Sequence, residues 1–527
     1  MSSEPAAAPD LQERLRRLNQ IGAALSVERD LDALLDRILL ESRRFTSAEA
    51  GTLFLVEEDH LRFVIAQNDG LQHPTRDLGM PAVPKDKESA SGYVALTGQL
   101  LNIKDVYCDE RHHFVAPRRY DQLTGYRTRS MLVVPMRNHE DQIIGVLQLI
   151  NALGPDRRII PFPSTDEPLI ESLASQAAVA INNVRLIQET ENLFGAFVQV
   201  MATAIDERFP HTGGHIRRVT EMAMVLARAV DQCSTGPLAD VRFSTEEFEE
   251  LRLASWLHDI GKISTPEWLI EKATKLTAVN DDIAVIRLRF ALARRSLQVQ
   301  ALEARLEARV KGGPDPDPDQ HSQHQLAALD AMLKKIEEAN IPTEDIDPEL
   351  LASLKEVQAT TFDDGSGLKN NLLTNDELAR LSIRRGNLTP QERAKIQDHA
   401  AVGIRLLEQI PFTRKLARVP AIAGAHHERL DGSGYPCGTS GQDLGIRARI
   451  LALVDIFESL SADDRPYRAR PLSGEQVLDI LRQEVERGGI DQDLFELFVA
   501  RRLDRQLAAI KARTAANSPE SPEPSLE

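Results

Sequence analysis

Hydrophobic positions at the start of the chain follow a helical period. Apolar residues recur every three or four positions between residues 11 and 45, which predicts one or two amphipathic helices. From Gly51 to Asn151 the pattern changes to short apolar runs separated by Gly, Asp and Asn, which is typical of β-strands. The predicted strands are TLFLV, LRFVIA, SMLVVPM and IIGVLQLI, and a polar RNHEDQ turn joins the last two as a hairpin. These segments predict an α+β domain with an antiparallel sheet flanked by helices.

A second helical pattern begins after Asp166. Apolar residues keep a spacing of three or four from Ile170 to Ile205, interrupted only at Glu191. A seam of this length with alternating spacings predicts a connecting helix over residues 166–205 that forms a coiled coil, and hence a parallel homodimer. The alternative is a single helix packed against its own domain.

The rest of the chain, from Phe194 to about Ala512, has a helical period, which predicts an all-α domain over residues 195–512. Within it, residues 280–310 and 322–339 predict two long helices joined by a KGGPDPDPDQ turn, an antiparallel hairpin. Two similar strings, KLT at 275–277 and NLT at 387–389, bracket this hairpin. We therefore interpret residues 278–386 as an insertion whose ends lie close together.

Composition narrows the classes of function. A chain of 527 residues predicts several domains, and 42% hydrophobic with 27% charged residues is the balance of a folded protein. A net charge of −17 repels nucleic acid and anionic membranes, so we expect neither as a partner. An anionic ligand would need a local positive site.

The N-terminal pattern and the cysteines predict the compartment. The first residues lack a basic region and an apolar region of the signal-peptide type, and no run approaches the ~18 apolar residues of a membrane span. The 3 cysteines stand far apart, which fits a reducing compartment and argues against a thiolate metal site. These features predict a cytoplasmic protein. Residues 1–10 and 513–527 are predicted to be disordered tails because they are rich in Ala, Pro, Ser and Glu.

Histidines and carboxylates recur in the helical part of the chain. The strings HTGGH, LHDIGK, QDHAAVG, AHHERLDG and ALVDIFESL each bring His or Asp into a short helical or loop context. Burying an unpaired imidazole or carboxylate costs several kcal/mol, so one shared metal centre explains these positions better than a satisfied core residue at each. Nitrogen and oxygen donors suit Fe, Mn, Zn or Ni, and a bridging Asp suits two adjacent ions of the kind that hydrolyse phosphoesters.

These strings resemble a known family. HDIGK at 258–262, followed by HHERLDGSGYP at 426–436, is similar to the HD-GYP family of bacterial cyclic-di-GMP phosphodiesterases, HD-domain phosphohydrolases with a GYP-bearing extension. GHIRRV, LTPQERAKIQDH, RARILALVDIFESL and DRPYR occur in the family's order. The resemblance covers about residues 195–275 and 387–512. It implies a metal-dependent enzyme that opens cyclic-di-GMP to pGpG, with further hydrolysis to GMP left open.

The resemblance also implies roles for particular residues. Asp259 and Lys262 are the implied catalytic residues: Asp259 bridges two divalent ions, Fe or Mn, and Lys262 contacts the scissile phosphate. His211 stands where some members carry a Glu that binds a third ion, so a third ion is left open there. The implied metal ligands are His215, His258, Asp259, His399, His426, His427 and Asp455. The implied substrate-binding residues are Lys262, Gly434, Tyr435, Pro436, Arg465 and Arg468, and the GYP loop is also implied to bind protein partners.

Residues 11–185 resemble a GAF domain, a small-molecule sensor module. The resemblance lies in LNIKDVY, LTGYRTRS and GVLQLIN, and it adds a GAF contact to the expected homodimer. Cyclic-nucleotide-binding members carry an Asn-Lys pair followed by Phe-x-x-x-Asp-Glu. Here Ala152 replaces the Lys, so the Lys–Asp salt bridge of that motif cannot form. A cyclic nucleotide, another small ligand and a purely dimerising role stay open. The candidate ligand residues are Asn151, Phe162, Asp166 and Glu167.

Two other functions stay open. One is a catalytically idle HD-GYP module that acts by protein contact, although such relatives usually lose a metal ligand or the GYP loop and this chain keeps both. The other is a phosphodiesterase for a different cyclic dinucleotide, such as cyclic GMP-AMP. The insertion, which falls between Asp259 and His399, would gate substrate, extend a dimer interface, bind a partner or be solvated decoration.

Overall fold

The computed structural model describes residues 11–69, 82–208, 214–278, 282–311, 318–342, 345–364, 368–462, 472–506 and 510. The two predicted tails, residues 1–10 and 513–527, lie outside the described residues. The chain divides into two compact units, Met1–Phe194 and Gly195–Glu527. Among the helices of the described part, none is long and apolar enough to cross a membrane.

The first unit is an α+β domain, as predicted. Its helices are α1 (Leu11–Val27), α2 (Leu31–Thr46), α3 (Ala90–Thr97), α4 (Ala116–Thr124) and the first part of α5 (Glu167–Arg208). Its strands are β1 (Ala48–Glu57), β2 (His60–Asn68), β3 (Val83–Pro84), β4 (Leu101–Ile103), β5 (Met131–Arg137), β6 (Ile143–Leu153) and β7 (Ile159–Ile160). They form one antiparallel sheet in the order β3-β2-β1-β6-β5-β4, with β7 paired to β6.

Alternating apolar residues give this sheet two buried faces. Leu53 and Leu147 share one core with α1, α2 and the start of α5, whereas Phe54 and Val146 share another with α3. The four strands and the hairpin predicted from the sequence are confirmed by β1, β2, β5 and β6.

The structure corrects the interpretation of the first half of the connecting helix. A continuous helix α5 is present, but its apolar positions from Ile170 to Val184 are buried in the core of the first unit. A three-four spacing fits a helix packed on a sheet as well as a coiled coil, and here the alternative of packing on its own domain holds. The homodimer through this helix and the GAF domain stays a prediction.

The second unit is largely helical, as predicted. Its helices are α6 (His215–Asp231), α7 (Thr245–Leu257), α8 (Glu267–Ile270), α9 (Asp282–Val310), α10 (Pro318–Asn340), α11 (Pro348–Ala359), α12 (Asn375–Leu381), α13 (Pro390–Leu407), α14 (Val419–Gly424), α15 (Ile446–Ser461), α16 (Gly474–Glu486) and α17 (Gln492–Ala500). It also contains the antiparallel pair β8 (Thr361–Asp363) and β9 (Lys369–Asn371), which the helical prediction does not include.

The insertion is more than a helical hairpin. Helices α9 and α10 pack together as predicted, and α11, α12 and β8 join them around a separate hydrophobic core. Its ends do lie close together, because Asn387 Nδ2 donates a hydrogen bond to the carbonyl of Lys272. The buried ammonium of Lys272 also pairs with Glu392 at 2.8 Å, which ties the base of the insertion to the first turn of α13.

Candidate metal centre

The first three predicted ligands lie where helix ends meet in the second unit. His215 is the first residue of α6, and His258 follows the last residue of α7. Asp259 precedes a short 3-10 turn formed by Ile260–Ser264. This turn lies against α13, where a Cβ atom at Gly261 would stand 1.9 Å from the carbonyl oxygen of His399. Because only glycine permits that approach, the Gly of HDIGK brings Asp259 next to α13.

The other four predicted ligands come from α13, α15 and the end of α14. His399 lies in α13 and Asp455 in α15, whereas His426 and His427 follow α14. Of the seven predicted ligands, His427 alone is not fully buried. The structure therefore brings all seven side chains to one place inside the second unit.

The donor atoms form two adjoining groups. Within each group they lie within 4.8 Å of one another; one group is His215, His258 and Asp259, and the other is His399, His426 and His427. Asp259 faces both groups, because its Oδ2 lies 3.3 Å from Nε2 of His258 and its Oδ1 lies 3.6 Å from Nε2 of His399. This is the position that a bridging carboxylate would need.

Asp455 is a second carboxylate between the groups. Its Oδ1 lies 3.2 Å from Nε2 of His215, and its Oδ2 lies 3.9 Å from Nδ1 of His427. Burial alone would raise the pKa of Asp455, but hydrogen bonding to His215 and the nearby imidazoles hold that pKa far below its usual value of 3.8. The carboxylate is therefore ionised at neutral pH.

Helix geometry fixes which ring nitrogen faces the centre. In His258, His399 and His426, Nδ1 donates to the carbonyl three residues earlier, at 2.7, 2.6 and 2.6 Å. The neutral ring then carries its proton on Nδ1 and leaves the Nε2 lone pair to the centre. Nε2 of His258 is buried and makes no hydrogen bond to any residue that the structure describes. A cation would satisfy this orphaned acceptor.

The electrostatics of the centre also suit a cation. Burial lowers the pKa of His426 well below 6.5 and that of His427 to about 3, so both rings are neutral at pH 7. Burial also acts to lower the pKa of His215, but the surrounding carboxylates, Glu458 foremost, outweigh it and raise that pKa well above 6.5. Five imidazoles and two ionised carboxylates, without a thiolate, form a donor set that fits divalent transition-metal ions.

Lys262 reaches the edge of this centre. Its Nζ donates to Oδ2 of Asp259 at 2.6 Å, and its side chain is 19% exposed. Burial alone would raise the pKa of Asp259, but the charge of Lys262 holds that pKa well below 3.8. The two predicted catalytic residues are therefore in direct contact.

Sequence analysis missed a buried carboxylate, Glu458. It lies one turn after Asp455 on α15, accepts a hydrogen bond from Nδ1 of His215 and accepts another from Nε of Arg218 at 2.6 Å. Burial would raise the pKa of Glu458, but the charges of His215 and Arg218 lower it to about 2. The sequence offered one weak signal, because Glu458 stands three residues after Asp455 and shares its face of an apolar helix.

The GYP loop lies beside the second imidazole group. The ring of Tyr435 is 4.7 Å from that of His427, and its backbone N–H donates to the His427 carbonyl at 3.2 Å. A Cβ atom at Gly434 would lie 2.5 Å from backbone atoms of Glu428, so this position requires glycine. The buried Glu428 carboxylate accepts two backbone N–H groups of the loop, at 2.7 and 2.9 Å, and thereby holds the loop, including Pro436, next to the centre.

Three predicted site residues lie outside the described residues: His211, Arg465 and Arg468. A third ion at His211 stays open, and the phosphate contacts predicted for the two arginines stay predictions.

In the first unit, Asn151 has a structural role. It is buried with a φ of 56°. Its carboxamide accepts the backbone N–H of Arg129 at 2.8 Å and donates to the carbonyl of Arg127 and the hydroxyl of Tyr126, each at 2.9 Å. These bonds join the end of β6 to the segment before β5.

The other candidate GAF ligand residues also make internal contacts. Phe162 is buried in the sheet core. Asp166 pairs with Arg14 of α1 at 2.8 Å, and Glu167 accepts a hydrogen bond from Asn102 of β4 at 2.7 Å. These contacts connect α1, α5 and the sheet, and a ligand for this domain stays a prediction.

We expect Asn151→Ala to destabilise the first unit by about 2–4 kcal/mol, because it leaves several buried polar groups without partners. Chemical denaturation can resolve this, since both tryptophans, Trp256 and Trp268, belong to the second unit. Far-UV circular dichroism should show an earlier transition while the tryptophan fluorescence transition is unchanged. The exposed Gln122→Ala is the control. Unfolding curves of N151A and wild type that superimpose would contradict this role.

Comparison with known proteins assigns both units. The model of the HD domain matches residues 374–494, and that of the GAF domain matches residues 30–181. The HD match includes His399, His426, His427 and Asp455, whereas the other three candidate ligands precede the insertion. Among solved structures, the GAF domain from Acinetobacter phosphoenolpyruvate-protein phosphotransferase is 16% identical and aligns over 34% of this chain and 98% of its own, with a TM-score of 0.28.

Three curated relatives are phosphodiesterases by name. The 3'3'-cGAMP-specific phosphodiesterase 1 of Vibrio cholerae is 40% identical over 114 residues, 22% of this chain and 25% of the relative. The 3'3'-cGAMP-specific phosphodiesterase 3 of the same organism is 45% identical over 84 residues, 16% of this chain and 17% of the relative. The dual 3',5'-cyclic-AMP and -GMP phosphodiesterase 11A of Takifugu rubripes is 25% identical over 406 residues, 70% of this chain and 41% of the relative. The chain thus spans less than half the length of each. It is a protein with an N-terminal GAF domain followed by an HD domain.

Proposed function

We propose that this protein is a metal-dependent phosphodiesterase that hydrolyses cyclic-di-GMP to pGpG under the control of its GAF domain. The observation that carries the proposal is the buried set of five imidazoles and two carboxylates around Asp259. The HD domain match and the phosphodiesterase names of the three relatives support it.

Two ions, Fe or Mn, fit this donor set. The group of His215, His258 and Asp259 would hold one and the group of His399, His426 and His427 the other, with Asp455 between them. When bound, such ions neutralise phosphate charge and activate the attacking water. The carboxylates contribute the negative charge that retains the ions, and the Nδ1 hydrogen bonds keep the rings aimed at them.

The remaining steps belong to the chain's own side chains. The Lys262 ammonium, beside Asp259 and partly exposed, would bind a non-bridging oxygen of the scissile phosphate and stabilise charge that develops there. Tyr435, whose ring packs near His427, offers an aromatic face to a guanine base. Burial raises the pKa of Tyr435 above its usual value of 10, so its hydroxyl stays protonated as a hydrogen-bond donor.

A second candidate substrate is 3'3'-cGAMP. The names of the two Vibrio relatives favour it, and it differs from cyclic-di-GMP only in one base. Both substrates present the same phosphodiester to the centre, so the two candidates differ in base recognition and not in the reaction.

The test is a side-by-side turnover assay. Anaerobically purified full-length protein, loaded with Fe(II) or Mn(II), is incubated with cyclic-di-GMP or 3'3'-cGAMP, and products are separated by chromatography. We expect conversion of cyclic-di-GMP to pGpG. Faster conversion of 3'3'-cGAMP would establish the second candidate. Absence of turnover of either, with metal bound, would point to another cyclic dinucleotide or to an enzyme held inactive by an empty GAF domain. Absence of both turnover and bound metal would overturn the proposal in favour of an idle signalling module.

We expect Glu458→Gln to weaken metal binding about 10- to 100-fold, because a neutral amide holds the His215 ring less firmly and makes it a weaker donor. The affinity is measured by Mn(II) titration against a competing chelator. The exposed Glu486→Gln on α16 is the matched control. Wild-type affinity in a folded E458Q protein would show that Glu458 does not orient His215.

A further inference from the structure

Helix α9 has two apolar faces. One face, with Ile283, Ile286 and Phe290, is buried in the core of the insertion. The other face is a stripe of exposed side chains, each 46–79% accessible: Val285, Leu288, Leu292, Val299, Leu302, Leu306 and Val310. A helix on the surface of a domain needs only one apolar face, so the second face of α9 calls for another partner.

The stripe follows a heptad repeat. Positions a and d are Val285, Leu288, Leu292, Arg295, Val299, Leu302, Leu306 and Arg309. The repeat continues for more than three heptads, which is typical of a coiled coil, and at 1.5 Å per residue it is roughly 36 Å long. Scattered exposed leucines on a solvated helix would not keep this register.

There is room for a second helix beside the stripe. Its first half opens on a groove of about 490 Å³ between α9 and the β8–β9 pair. Val285, Leu288 and Leu292 line one side of the groove, and Phe362 lines the other. A helix lying along the stripe would fill this groove with its own apolar side chains.

We propose that this stripe forms an antiparallel two-stranded coiled coil with α9 of a second copy of this chain. A parallel pair would place Arg295 against Arg295 of the second copy in one core layer, and like charges there repel. In an antiparallel pair centred on residue 297, Arg295 faces Val299 of the second copy instead. The same register sets Leu288 against Leu306 and Leu292 against Leu302.

Charge at the a and d positions favours the same direction. Arg287, Arg289 and Arg294 already pair with carboxylates of the same insertion, so the charged residues of the repeat itself are Arg295 and Arg309. An antiparallel pair also sets Arg309 against Val285 of the second copy. A parallel pair sets each of these two arginines against the same arginine of the second copy. The interface is therefore directional, and it belongs to the insertion rather than to α5 or the GAF domain.

Disulfide cross-linking tests the direction directly. In full-length protein whose cysteines at 108, 233 and 437 are replaced by serine, Leu292→Cys and Leu302→Cys are made separately. We expect neither variant to form a covalent dimer alone under mild oxidation, whereas the two mixed and re-equilibrated should cross-link in more than a few per cent of chains. A mixture of Leu292→Cys with Ala304→Cys, whose cysteine is at an exposed position outside the stripe, is the matched control.

Two results would overturn the proposal. Cross-linking of Leu292→Cys or Leu302→Cys with itself would show a parallel pair. Absence of cross-linking in every mixture, with maleimide labelling showing both cysteines fully reactive, would show that the stripe stays open to solvent. Protection of both cysteines from maleimide in a monomer, measured by light scattering, would show that another part of the same chain covers it and would equally contradict a second copy.

Discussion

Replacing Asp259 by alanine is expected to reduce turnover of cyclic-di-GMP by about 1,000-fold or more. Asp259 faces both groups of imidazoles, with His258 at 3.3 Å and His399 at 3.6 Å. A pair of divalent ions contributes several kcal/mol to the transition state, and each 1.36 kcal/mol is tenfold in rate. Since alanine removes a carboxylate that both groups share, we expect at least one ion to be lost.

The test measures both the metal content and the turnover rate of the D259A protein. Metal bound per chain is determined after dialysis, and turnover is followed by chromatography on the same sample. The control is Asp398→Ala, which removes an exposed carboxylate from the position just before His399. We expect D398A to match the wild type in both readouts. Full metal content and full turnover in a folded D259A protein would contradict the assignment of Asp259 as the bridge.

The candidate ligands were predictable because their chemistry conflicts with their surroundings. His258 and Asp455 stand among apolar residues in the sequence, and a buried polar group in such a setting demands a partner. The sequence could not show what each ring nitrogen contacts. That follows from helix geometry, in which Nδ1 of His258 and His399 donates to a carbonyl three residues earlier. Only in the folded chain is the lone pair of Nε2 directed at the centre.

Three features escaped the sequence for physical reasons. The strands β8 and β9 are three residues each, too short for a period of two to appear. The apolar seam of α5 predicts a buried face, but spacing alone does not say whether a sheet or a second helix buries it. Glu458 looks like one more charged residue, because its partners His215 and Arg218 are about 240 positions away along the chain.

Lys262→Met is expected to lower kcat by about 100- to 1,000-fold, the usual loss when one group that stabilises transition-state charge is removed. The methionine keeps the length of the side chain and loses only the ammonium. Nζ of Lys262 lies 2.6 Å from Oδ2 of Asp259, so the substitution also removes a positive charge next to the proposed metal bridge. Electrostatics then predict that metal affinity is unchanged or higher, because a cation bound there is repelled less.

A fall in kcat without a loss of metal affinity distinguishes a role of Lys262 on the phosphate from a role in holding metal. If Lys262 only positioned Asp259, K262M would lose metal and activity together, as D259A does. If it binds the phosphate, kcat falls while metal content is retained. Lys395→Met, at an exposed position of α13, controls for loss of a lysine near the centre. A kcat for K262M within a few-fold of the wild type would show that the Lys262 ammonium does not stabilise the transition state.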